Sequence, residues 1–386
     1  MNIPVAKPDV GQEEIDAVAD VLRSGMYTAG KHVKAFEEAF AEYVGTQHAI
    51  AVSNGTDALI LSLYGTKMRT GSDVIVPALT FFATVAAPIH AGMRPVFADI
   101  DPETYCIDVE HVKELLSRRT GAIIPVHLYG HPAAMDELNE LVYEEYDAEG
   151  TCKRRQQPII IEDAAQAHGA EYKGKKAGAL GHAACFSFFA TKNMTTAEEG
   201  GMITTDNGYF AKTVQTLRNH GMINRNDHVY VGYNNRLGEI GGAIGLIQLR
   251  KLDAMNAKRS ENSEYLHKEL GKLNPSWMKL PTVKPNVKHA WFWYPVLIDE
   301  DQLGLNTHEL RDFLKDAGIG TRHRYVEPLY KQPALMPWSK HLGIDYDKLE
   351  LPNAEAIVGK MIGLPNHQRL NKEELDYIIQ VVKEIG

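Results

Sequence analysis

The chain of 386 residues is too long for one usual compact core, so we expect one large and one smaller domain. A formal net charge of −9 without a basic stripe argues against a nucleic-acid-binding protein, and no segment approaches the roughly 20 apolar residues of a membrane span. Three cysteines without paired spacing exclude a disulfide framework or a cysteine-rich zinc site, and we therefore predict a cytoplasmic protein.

Short apolar runs of β character recur in the first part of the chain, and helix-like segments lie between most of them. Strands that alternate with helices predict a mainly parallel sheet that is covered on both faces. We assign this sheet to a large domain, residues 1–245. The predicted strands are residues 49–53, 74–77, 95–100, 122–128, 158–163, 184–189 and 201–205.

The pattern changes after about Gly245, where a long charged helical stretch runs through Lys268. The remaining elements predict a smaller α+β domain, residues 246–386. They are strands at 291–298 and 319–325 and helices near 308–317, 354–362 and 372–385.

A turn that could bind a phosphate group follows the first predicted strand. Gly55-Thr56-Asp57 opens an apolar helix, and free backbone N–H groups at a helix N-terminus attract anions. The Asp57 carboxylate is an awkward neighbour for a phosphate, so we expect it to point elsewhere. An ordinary turn with a helix N-cap explains this segment equally well.

Aromatic and acidic residues follow two other strands. Phe81 could lie flat against a planar cofactor, although packing in the core is the simpler explanation. Glu162 and Asp163 end an apolar run, and carboxylates seldom follow a buried strand unless something pairs with them. A carboxylate at this position could keep a pyridine nitrogen protonated; a metal ligand or a helix N-cap are the alternatives.

Lys192 lies just past the strand 184–189, close to the turn Gly200-Gly201. A lysine in a partly desolvated pocket loses its proton more readily and can form a Schiff base with an aldehyde. Ser187, in the same strand, could donate a hydrogen bond to a phosphate. Most lysines are surface charges, so the surroundings of Lys192 rather than its type favour a functional role.

These segments and their order resemble the sugar aminotransferases of the DegT family, which are fold-type I pyridoxal 5′-phosphate enzymes. The resemblance runs over nearly the whole chain, from Ile3-Pro4-Val5 through Arg23-Ser24-Gly25 to Tyr325 and Pro328. It implies an α/β fold with a seven-stranded, mainly parallel sheet and a smaller C-terminal α+β domain. It also implies pyridoxal 5′-phosphate as the cofactor and a homodimer with shared active sites.

The resemblance assigns roles to individual residues. Lys192 would carry the cofactor as a Schiff base and move the proton, while Asp163 would bind the pyridine nitrogen. Gln166 would face the phenolic oxygen of the cofactor, and Phe81 would stack on its ring.

The remaining implied residues lie near the cofactor's phosphate or near the substrate. At the phosphate they are Gly55, Thr56, Asp57, Ser187 and, from the neighbouring subunit, Asn234 of the segment Gly232-Tyr233-Asn234-Asn235-Arg236. Near the substrate they are His220, Arg236, His323 and Tyr325. For His220, His323 and Tyr325, a structural hydrogen bond is as good an explanation as contact with the substrate.

In the implied reaction, L-glutamate leaves its amino group on the cofactor, and a nucleotide-linked keto-deoxysugar takes it up, most often at a C4 ketone. A C3-keto sugar or an inosose is the alternative acceptor. A pyridoxal phosphate sugar dehydratase is a second hypothesis, but relatives of that type generally carry histidine in place of Lys192. A non-catalytic sensor would have lost Lys192 or Asp163, and a Rossmann dehydrogenase would need a Gly-x-Gly-x-x-Gly turn that Ser53-Asn54-Gly55-Thr56 lacks.

Three further patterns predict structural or surface roles. His127 and His131 are spaced like a helical metal pair, but His127 ends a strand-like run, so we expect no metal site. The loop 193–199 is one residue longer than is usual in the family. The segment 143–157, which contains the basic run Lys153-Arg154-Arg155, is longer and more polar than usual, and we expect it to form a surface excursion.

Overall fold

A computed structural model describes residues 1–143 and 157–385 of the chain. Cys152, the basic run Lys153-Arg154-Arg155 and nearly all of the predicted excursion lie outside these described residues. Within the two ranges, no helix has both the length and the apolar character needed to cross a bilayer.

The described helices and strands alternate along the first half of the chain. The α-helices are α1 (Gln12–Ser24), α2 (Lys31–Val44), α3 (Gly55–Gly65), α4 (Ala83–His90), α5 (Val109–Leu115), α6 (Met135–Tyr143), α7 (Gly208–Leu217), α8 (Glu239–Leu273), α9 (Glu300–Leu303), α10 (Thr307–Asp316), α11 (Met336–Leu342), α12 (Pro352–Ile357) and α13 (Lys372–Ile385). Short 3-10 helices span Leu128–Gly130, Leu329–Lys331, Pro333–Leu335 and Tyr346–Lys348. The strands are β1 (His48–Val52), β2 (Asp73–Pro77), β3 (Arg94–Ala98), β4 (Thr120–Ile123), β5 (Ile159–Asp163), β6 (Glu171–Tyr172), β7 (Lys175–Lys176), β8 (Ala183–Ser187), β9 (Gly201–Thr205), β10 (Met278–Lys279), β11 (Val287–Lys288), β12 (Tyr294–Ile298) and β13 (Met361–Leu364).

A seven-stranded sheet in the order β1-β9-β8-β5-β4-β2-β3 forms the centre of the molecule. The pairs between β8 and β3 are parallel, and β9 runs antiparallel to both of its neighbours. All seven predicted strands are present with ends shifted by a few residues. The largest shift is in β4, which ends at Ile123 rather than at residue 128; Pro125 follows soon after and has no N–H group to donate to a ladder.

Apolar clusters cover both faces of this sheet. Successive side chains of a strand point to opposite faces, so Ile50 and Val52 of β1 join one cluster while Ala49 and Ala51 join the other. In the second cluster, the ring of Phe40 on α2 packs edge-to-face against Phe186 of β8, with 5.0 Å between centroids. Burial on both faces explains why the central strands are apolar runs without polar alternation.

The carboxyl ends of four strands share one edge of the sheet. Because β9 is antiparallel to both β1 and β8, those two strands point the same way, and β2 and β5 are parallel to β8. Open α/β sheets bind their ligands at this edge. The segments that follow these four strands contain most of the candidate residues.

The C-terminal part differs from the sequence prediction at two neighbouring segments. Residues 319–325 form only single bridges, at Ile319 and Arg322, and the chain turns at Tyr325, where φ is 62°. The third strand of the small antiparallel sheet β10-β12-β13 is instead β13, whose first residues fall in the helix that the sequence predicts through residue 362. Helix α12 ends at Ile357 because Gly359, with a φ of 77°, turns the chain into this buried strand.

Helix α8 links the two parts of the molecule. It runs for 35 residues and passes through Gly245, where the sequence predicts the domain boundary. Tyr346, from beyond that boundary, packs edge-to-face on Phe97 of β3, and Ile3, from the N-terminus, bridges to Ile319. The division into residues 1–245 and 246–386 stays a prediction.

Candidate active site

A cavity of about 660 Å³ opens at the carboxyl edge of the large sheet. Most of the residues singled out in the sequence line this cavity, although they come from distant segments. The lining includes Gly55, Thr56, Asp57, Phe81, Asp163, Gln166, Ser187, Lys192 and Tyr325. Asn234, His220, Arg236 and His323 are not among its lining residues.

One corner of the cavity is formed by the first turn of α3 and the end of β8. A Cβ atom at Gly55 would lie 2.7 Å from the Cβ of Ser187, so only glycine permits this close approach. The first intrahelical bond of α3 joins the Ala58 N–H to the Asn54 carbonyl, which leaves the N–H groups of Gly55 and Thr56 without intrahelical partners. This corner therefore presents two backbone donors beside the Ser187 hydroxyl, as an anion requires.

The Asp57 carboxylate takes part in the cap of α3. Its Oδ2 accepts hydrogen bonds from the Ser53 hydroxyl and from Asn54 Nδ2, the latter at 2.7 Å. The Asp57 N–H in turn donates to Asn54 Oδ1 at 2.8 Å. The negative charge is thus held by neighbours at the strand end, as expected for a carboxylate near an anion-binding turn.

Asp163, at the end of β5, presents a buried carboxylate to the cavity. Its Oδ2 accepts a 2.8 Å hydrogen bond from the Thr84 hydroxyl, and its Oδ1 accepts the Ala165 N–H at 3.2 Å. Burial raises the pKa of Asp163, while these hydrogen bonds and the charge of Lys192 oppose the shift. Protein groups therefore offset only part of the cost of burying the Asp163 carboxylate, which leaves it suited to pair with a cationic group in the cavity.

Glu162, the preceding residue, has a structural role on the opposite side of β5. Its carboxylate accepts the N–H groups of Gly178, Leu180 and Gly181 at 2.7–2.8 Å, together with His127 Nε2 at 2.9 Å. The Nδ1 of His127 accepts the Ala133 N–H, so Nε2 carries the proton of a neutral ring.

The second histidine of the predicted pair is also engaged with the protein. His131 donates from Nδ1 to the Pro132 carbonyl at 2.7 Å and accepts the Lys284 N–H at Nε2. In the part of the chain that the structure describes, no cluster of three or more histidine, cysteine or acidic residues could hold a metal ion.

Lys192 reaches the cavity from the loop between β8 and β9. Its Nζ lies 4.6 Å from the centroid of the Phe292 ring. Burial lowers the pKa of Lys192 to about 8; the charge of Asp163 opposes this shift, and the charges of Arg322 and Arg324 reinforce it. An amine with this pKa exchanges protons readily near neutral pH.

The longer loop after Lys192 is held to the body of the protein. Asn193 donates from Nδ2 to Asn256 Oδ1 at 2.9 Å and to the Ala290 carbonyl at 2.7 Å. Further along, the Thr196 N–H returns to the Phe188 carbonyl at 3.1 Å. These bonds fix the backbone on both sides of the lysine.

Gln166 and Tyr325 meet at another wall of the cavity. Gln166 Nε2 donates to the Tyr325 hydroxyl at 3.1 Å, and its Oε1 accepts the Tyr129 N–H at 2.7 Å. Burial raises the pKa of Tyr325 to about 12, so its hydroxyl stays protonated at neutral pH. The amide orientation is thus set by two protein partners.

Phe81, by contrast, offers a free ring face. Its side chain is 52% exposed even though it lines the cavity at the end of β2. A large apolar ring exposed inside a cavity is suited to a planar ligand.

The predicted residues that do not line the cavity lie on the segment 219–236 or in the C-terminal part. Asn234 is exposed, and its backbone bridges to Asn219, whose side chain accepts a 2.7 Å hydrogen bond from Arg236 Nη1. His220 has a φ of 57°, and its N–H donates to the Tyr233 carbonyl. His323 Nε2 donates to the Gly359 carbonyl at 2.8 Å, as a structural histidine would.

Other lining residues are not anticipated by the sequence reasoning. They include Thr80, Phe292, Trp293, Arg322 and Arg324, and behind the lining Thr84 reaches Asp163. Thr84 lies three positions after Phe81, and the basic pair occupies alternate positions in a segment predicted as a strand. Both spacings are visible in the sequence but are common in ordinary helices and strands.

The chain is similar to known proteins over nearly its whole length. A family model described as the DegT/DnrJ/EryC1/StrS aminotransferase family matches residues 8–383. GDP-perosamine synthase of Caulobacter vibrioides is 36% identical over 387 residues, which cover 100% of this chain and 98% of that protein. The dTDP-3-amino-3,6-dideoxy-alpha-D-galactopyranose transaminase of Aneurinibacillus thermoaerophilus is 35% identical over 376 residues, with 97% and 96% covered. The PLP-form of the putative sugar aminotransferase Spr1654 from Streptococcus pneumoniae superposes with a TM-score of 0.87 at 30% identity and covers 100% of this chain and 98% of its own.

Proposed function

The chain belongs to the DegT/DnrJ/EryC1/StrS aminotransferase family, and we propose that it transfers the amino group of L-glutamate to a nucleotide-linked keto-deoxysugar. Membership makes it a pyridoxal 5′-phosphate-dependent aminotransferase of fold-type I, which confirms the enzyme class, cofactor and fold class predicted from the sequence. The names of two relatives refer to sugars linked to GDP and dTDP, and these names support a nucleotide-linked acceptor.

The carbon that receives the nitrogen is the finer part of the proposal. We favour a C4 ketone, as the family resemblance implies. The relative from Aneurinibacillus thermoaerophilus is named for a 3-amino sugar, which supports a C3-keto sugar as the second candidate, ahead of an inosose. The sugar dehydratase hypothesis is dropped, because the family that matches the chain is one of aminotransferases.

The observation that carries the proposal is the meeting of Lys192, Asp163 and the anion-binding corner in one cavity. The residues present fit pyridoxal 5′-phosphate. Gly55 and Ser187 form a corner of a size and polarity suited to its phosphate, and the exposed face of Phe81 suits its ring. The buried carboxylate of Asp163 suits a protonated ring nitrogen.

When bound, the cofactor supplies a carbonyl carbon that can carry an amino group and a ring that acts as an electron sink. Lys192 Nζ, with a pKa of about 8, can take a proton from the substrate carbon and return one near neutral pH. Asp163 would hold the ring nitrogen in its protonated form, and Gln166 would face the phenolic oxygen of the cofactor. Gly55, Thr56 and Ser187 would fix the position of the phosphate.

We also propose a homodimer in which Asn234 completes the partner's phosphate site. The segment 219–236, which contains Asn234, folds back on itself so that two stretches of its backbone lie side by side. The Val229 N–H donates to the Gly221 carbonyl between them. The end of this segment exposes Ile223 and Val229, and Val231 is 98% exposed. Several exposed apolar side chains within one short segment favour burial against another chain.

The four residues predicted to lie near the substrate are not equally well supported in that role. Tyr325 lines the cavity, whereas the side chains of Arg236 and His323 bond to other groups of their own subunit, and the backbone N–H of His220 donates to the Tyr233 carbonyl. We keep Tyr325 as the substrate-facing residue of this set, and the other three roles stay predictions.

The proposal is tested by incubating the holoenzyme with L-glutamate and a panel of acceptors: nucleotide-linked 4-keto and 3-keto sugars and an inosose. Release of 2-oxoglutarate is measured for each acceptor. We expect the 4-keto sugars to be converted fastest, and Lys192→Ala provides the inactive control. No release with any acceptor beyond that caused by L-glutamate alone, from protein that contains cofactor, would reject the proposed substrate class.

A further inference from the structure

The Phe292 ring forms the part of the cavity wall that meets the Lys192 amino group. Nζ of Lys192 lies 4.6 Å from the centroid of this ring, inside the roughly 6 Å over which a ring face attracts a cation. The ring itself is 6% exposed and is buried in the apolar core. Water therefore weakens the attraction between this ring and a cation only slightly.

The segment 289–293 carries the ring in a conformation that is costly for the backbone. Trp291 has a φ of 49°, which bulky residues seldom adopt. On one side of Trp291, the Ala290 N–H donates to the Gly130 carbonyl at 2.9 Å. On the other side, the Phe292 N–H donates to the Tyr129 carbonyl at 2.9 Å. Neighbouring backbone thus holds the turn in place, and backbone strain of this kind concentrates at functional sites.

Asn193 connects this segment to the residue that carries the amine. It follows Lys192 directly and is 2% exposed. Its Nδ2 donates to the Ala290 carbonyl at 2.7 Å and to Asn256 Oδ1, on α8, at 2.9 Å. Because Ala290 lies two positions before Phe292, this single amide fixes the ring relative to the lysine.

The face of the Phe292 ring distinguishes the two protonation states of Lys192. A group that takes a proton and returns it alternates between a neutral amine and an ammonium. The negative face of an aromatic ring attracts the ammonium and has little attraction for the amine. Because the stem of a lysine is flexible, such an attraction is what keeps the charged Nζ in one position.

Charged groups around Nζ also act on Lys192, and burial opposes the ring. Burial is the largest influence and lowers the pKa of Lys192 to about 8. The charges of Asp163 and Glu199 raise this pKa, and those of Arg322 and Arg324 lower it. Attraction by the ring adds to the effect of the two carboxylates, because it also favours the ammonium.

Arg322 is the second cation near this ring. Its guanidinium carbon lies 5.6 Å from the Phe292 centroid and 5.3 Å from that of Trp293. Lys192 is thus the closer of the two cations to Phe292. The two contacts can be separated by experiment, because a variant without the Arg322 charge keeps both the ring and the lysine.

We propose that the Phe292 ring is the resting place of the Lys192 ammonium during amino transfer, and that Asn193 is a positioning residue that sets the ring against it. The inference rests on the proposed function in that Lys192 must be the group that moves the proton. It does not depend on the identity of the donor or of the acceptor. Phe292 acts on the amine, and Asn193 acts through Phe292.

The test measures the pKa of Lys192 in the full-length apoprotein, from the pH dependence of the rate at which it captures pyridoxal 5′-phosphate. In Phe292→Leu the ammonium loses the ring, so we expect the midpoint to fall by roughly 0.5 to 1 pH unit. A merely structural loss that admits water would stabilise the ammonium and raise the midpoint instead. Phe292→Tyr keeps the ring face and should keep the wild-type midpoint.

Three controls separate the ring from other causes. Phe97→Leu removes another buried ring, which packs on Tyr346 outside the lining of the cavity, and should leave the midpoint unchanged. The fall caused by Phe292→Leu should persist in an Arg322→Gln background. Trifluorophenylalanine at position 292 keeps the shape of the ring and weakens its negative face, so it should lower the midpoint even if Phe292→Leu does not fold.

Asn193→Ala tests whether Asn193 acts through the ring. Alone, it should lower the midpoint by part of the shift that Phe292→Leu causes. The double variant should match Phe292→Leu, because the amide has nothing to position once the ring is gone. Two shifts that simply add would remove the positioning role of Asn193.

An unchanged or raised midpoint in Phe292→Leu, an equal fall in Phe97→Leu, or loss of the shift in the Arg322→Gln background would overturn the proposal. The proposed function fails in a different way, through the acceptor panel. If the wild type converts no keto sugar but Phe292→Leu shows the expected fall, the proposed acceptor fails and this inference stands.

Discussion

Thr84 Oγ1 donates a hydrogen bond of 2.8 Å to Asp163 Oδ2, and both side chains are buried at the carboxyl edge of the large sheet. Burial alone raises the pKa of Asp163, and this hydrogen bond works against the rise. A hydrogen bond to the charged form of a carboxyl group favours that form. Thr84 therefore helps to keep Asp163 ionised and able to pair with a protonated ring nitrogen.

We predict that Thr84→Val lowers the rate of the glutamate half-reaction by about tenfold, the value of one hydrogen bond to a charged group. The rate falls because an Asp163 carboxyl group with a higher pKa is less effective at keeping the ring nitrogen of the cofactor protonated. Stopped-flow absorbance of the bound cofactor gives this rate. Thr84→Ser keeps the hydroxyl and should react close to the wild-type rate; equal rates for both variants would contradict the role of the bond.

The pKa of Lys192 predicts how fast the apoprotein captures its cofactor at different pH values. Only the neutral amine attacks an aldehyde, so the rate should rise with pH through a midpoint near 8 and then level off. An ordinary lysine would give a midpoint about two units higher. The rate is measured from the absorbance change after mixing apoprotein with pyridoxal 5′-phosphate.

Two charge variants check the sign of this pH dependence. The charge of Asp163 raises the pKa of Lys192, so Asp163→Asn should move the midpoint to lower pH. The charge of Arg322 lowers that pKa, so Arg322→Gln should move the midpoint to higher pH. Shifts in the reverse directions would show that these groups do not act on Lys192 through their charges.

Gly55 should tolerate no side chain. In Gly55→Ala, the new Cβ would meet the Ser187 Cβ at 2.7 Å and close the anion-binding corner, so we expect the Kd for pyridoxal 5′-phosphate to rise by at least about tenfold. The Kd is measured by titrating apoprotein with cofactor. Gly271→Ala is the matched control, since its Cβ would meet nothing closer than 3.9 Å in α8, and it should bind cofactor normally. Normal binding by Gly55→Ala would remove the phosphate assignment.

Shared active sites predict complementation between two defective subunits. Lys192→Ala removes the amine, and Asn234→Asp places a negative charge where the partner's phosphate would bind. A hybrid dimer of these two subunits contains one intact site, so it should recover about half of the wild-type activity. Hybrids are isolated by co-expression with two different tags. If Asn234 served its own subunit, both sites of the hybrid would be defective and no activity would return.

The large sheet can be predicted because its strands are apolar runs with polar residues at their ends. Parallel strands place their carboxyl ends on one edge, so the sequence alone is enough to expect that Asp163, Ser187 and Gly55 meet. The small sheet is harder to predict. Residues 319–325 alternate like a strand, but the positive φ of Tyr325 and the buried strand β13 depend on contacts with distant segments.

The site residues and contacts that the sequence did not predict share the same cause. Thr84 reaches Asp163 across 79 positions of sequence, and Gln166 reaches Tyr325 across 159. Neither contact leaves a local pattern, and Arg322 becomes notable only when its lack of a carboxylate partner among the described residues is seen. Polar residues at the ends of strands can be recognised in a sequence, whereas contacts between residues that are far apart in sequence can be recognised only in the three-dimensional structure.

The account depends most directly on covalent attachment of the cofactor to Lys192. The measurement is borohydride reduction of the yellow holoenzyme, followed by digestion and mass mapping of the labelled peptide. The account predicts a pyridoxyl group on Lys192 and no label in Lys192→Ala. Label on another lysine, or none on protein saturated with cofactor, would contradict it.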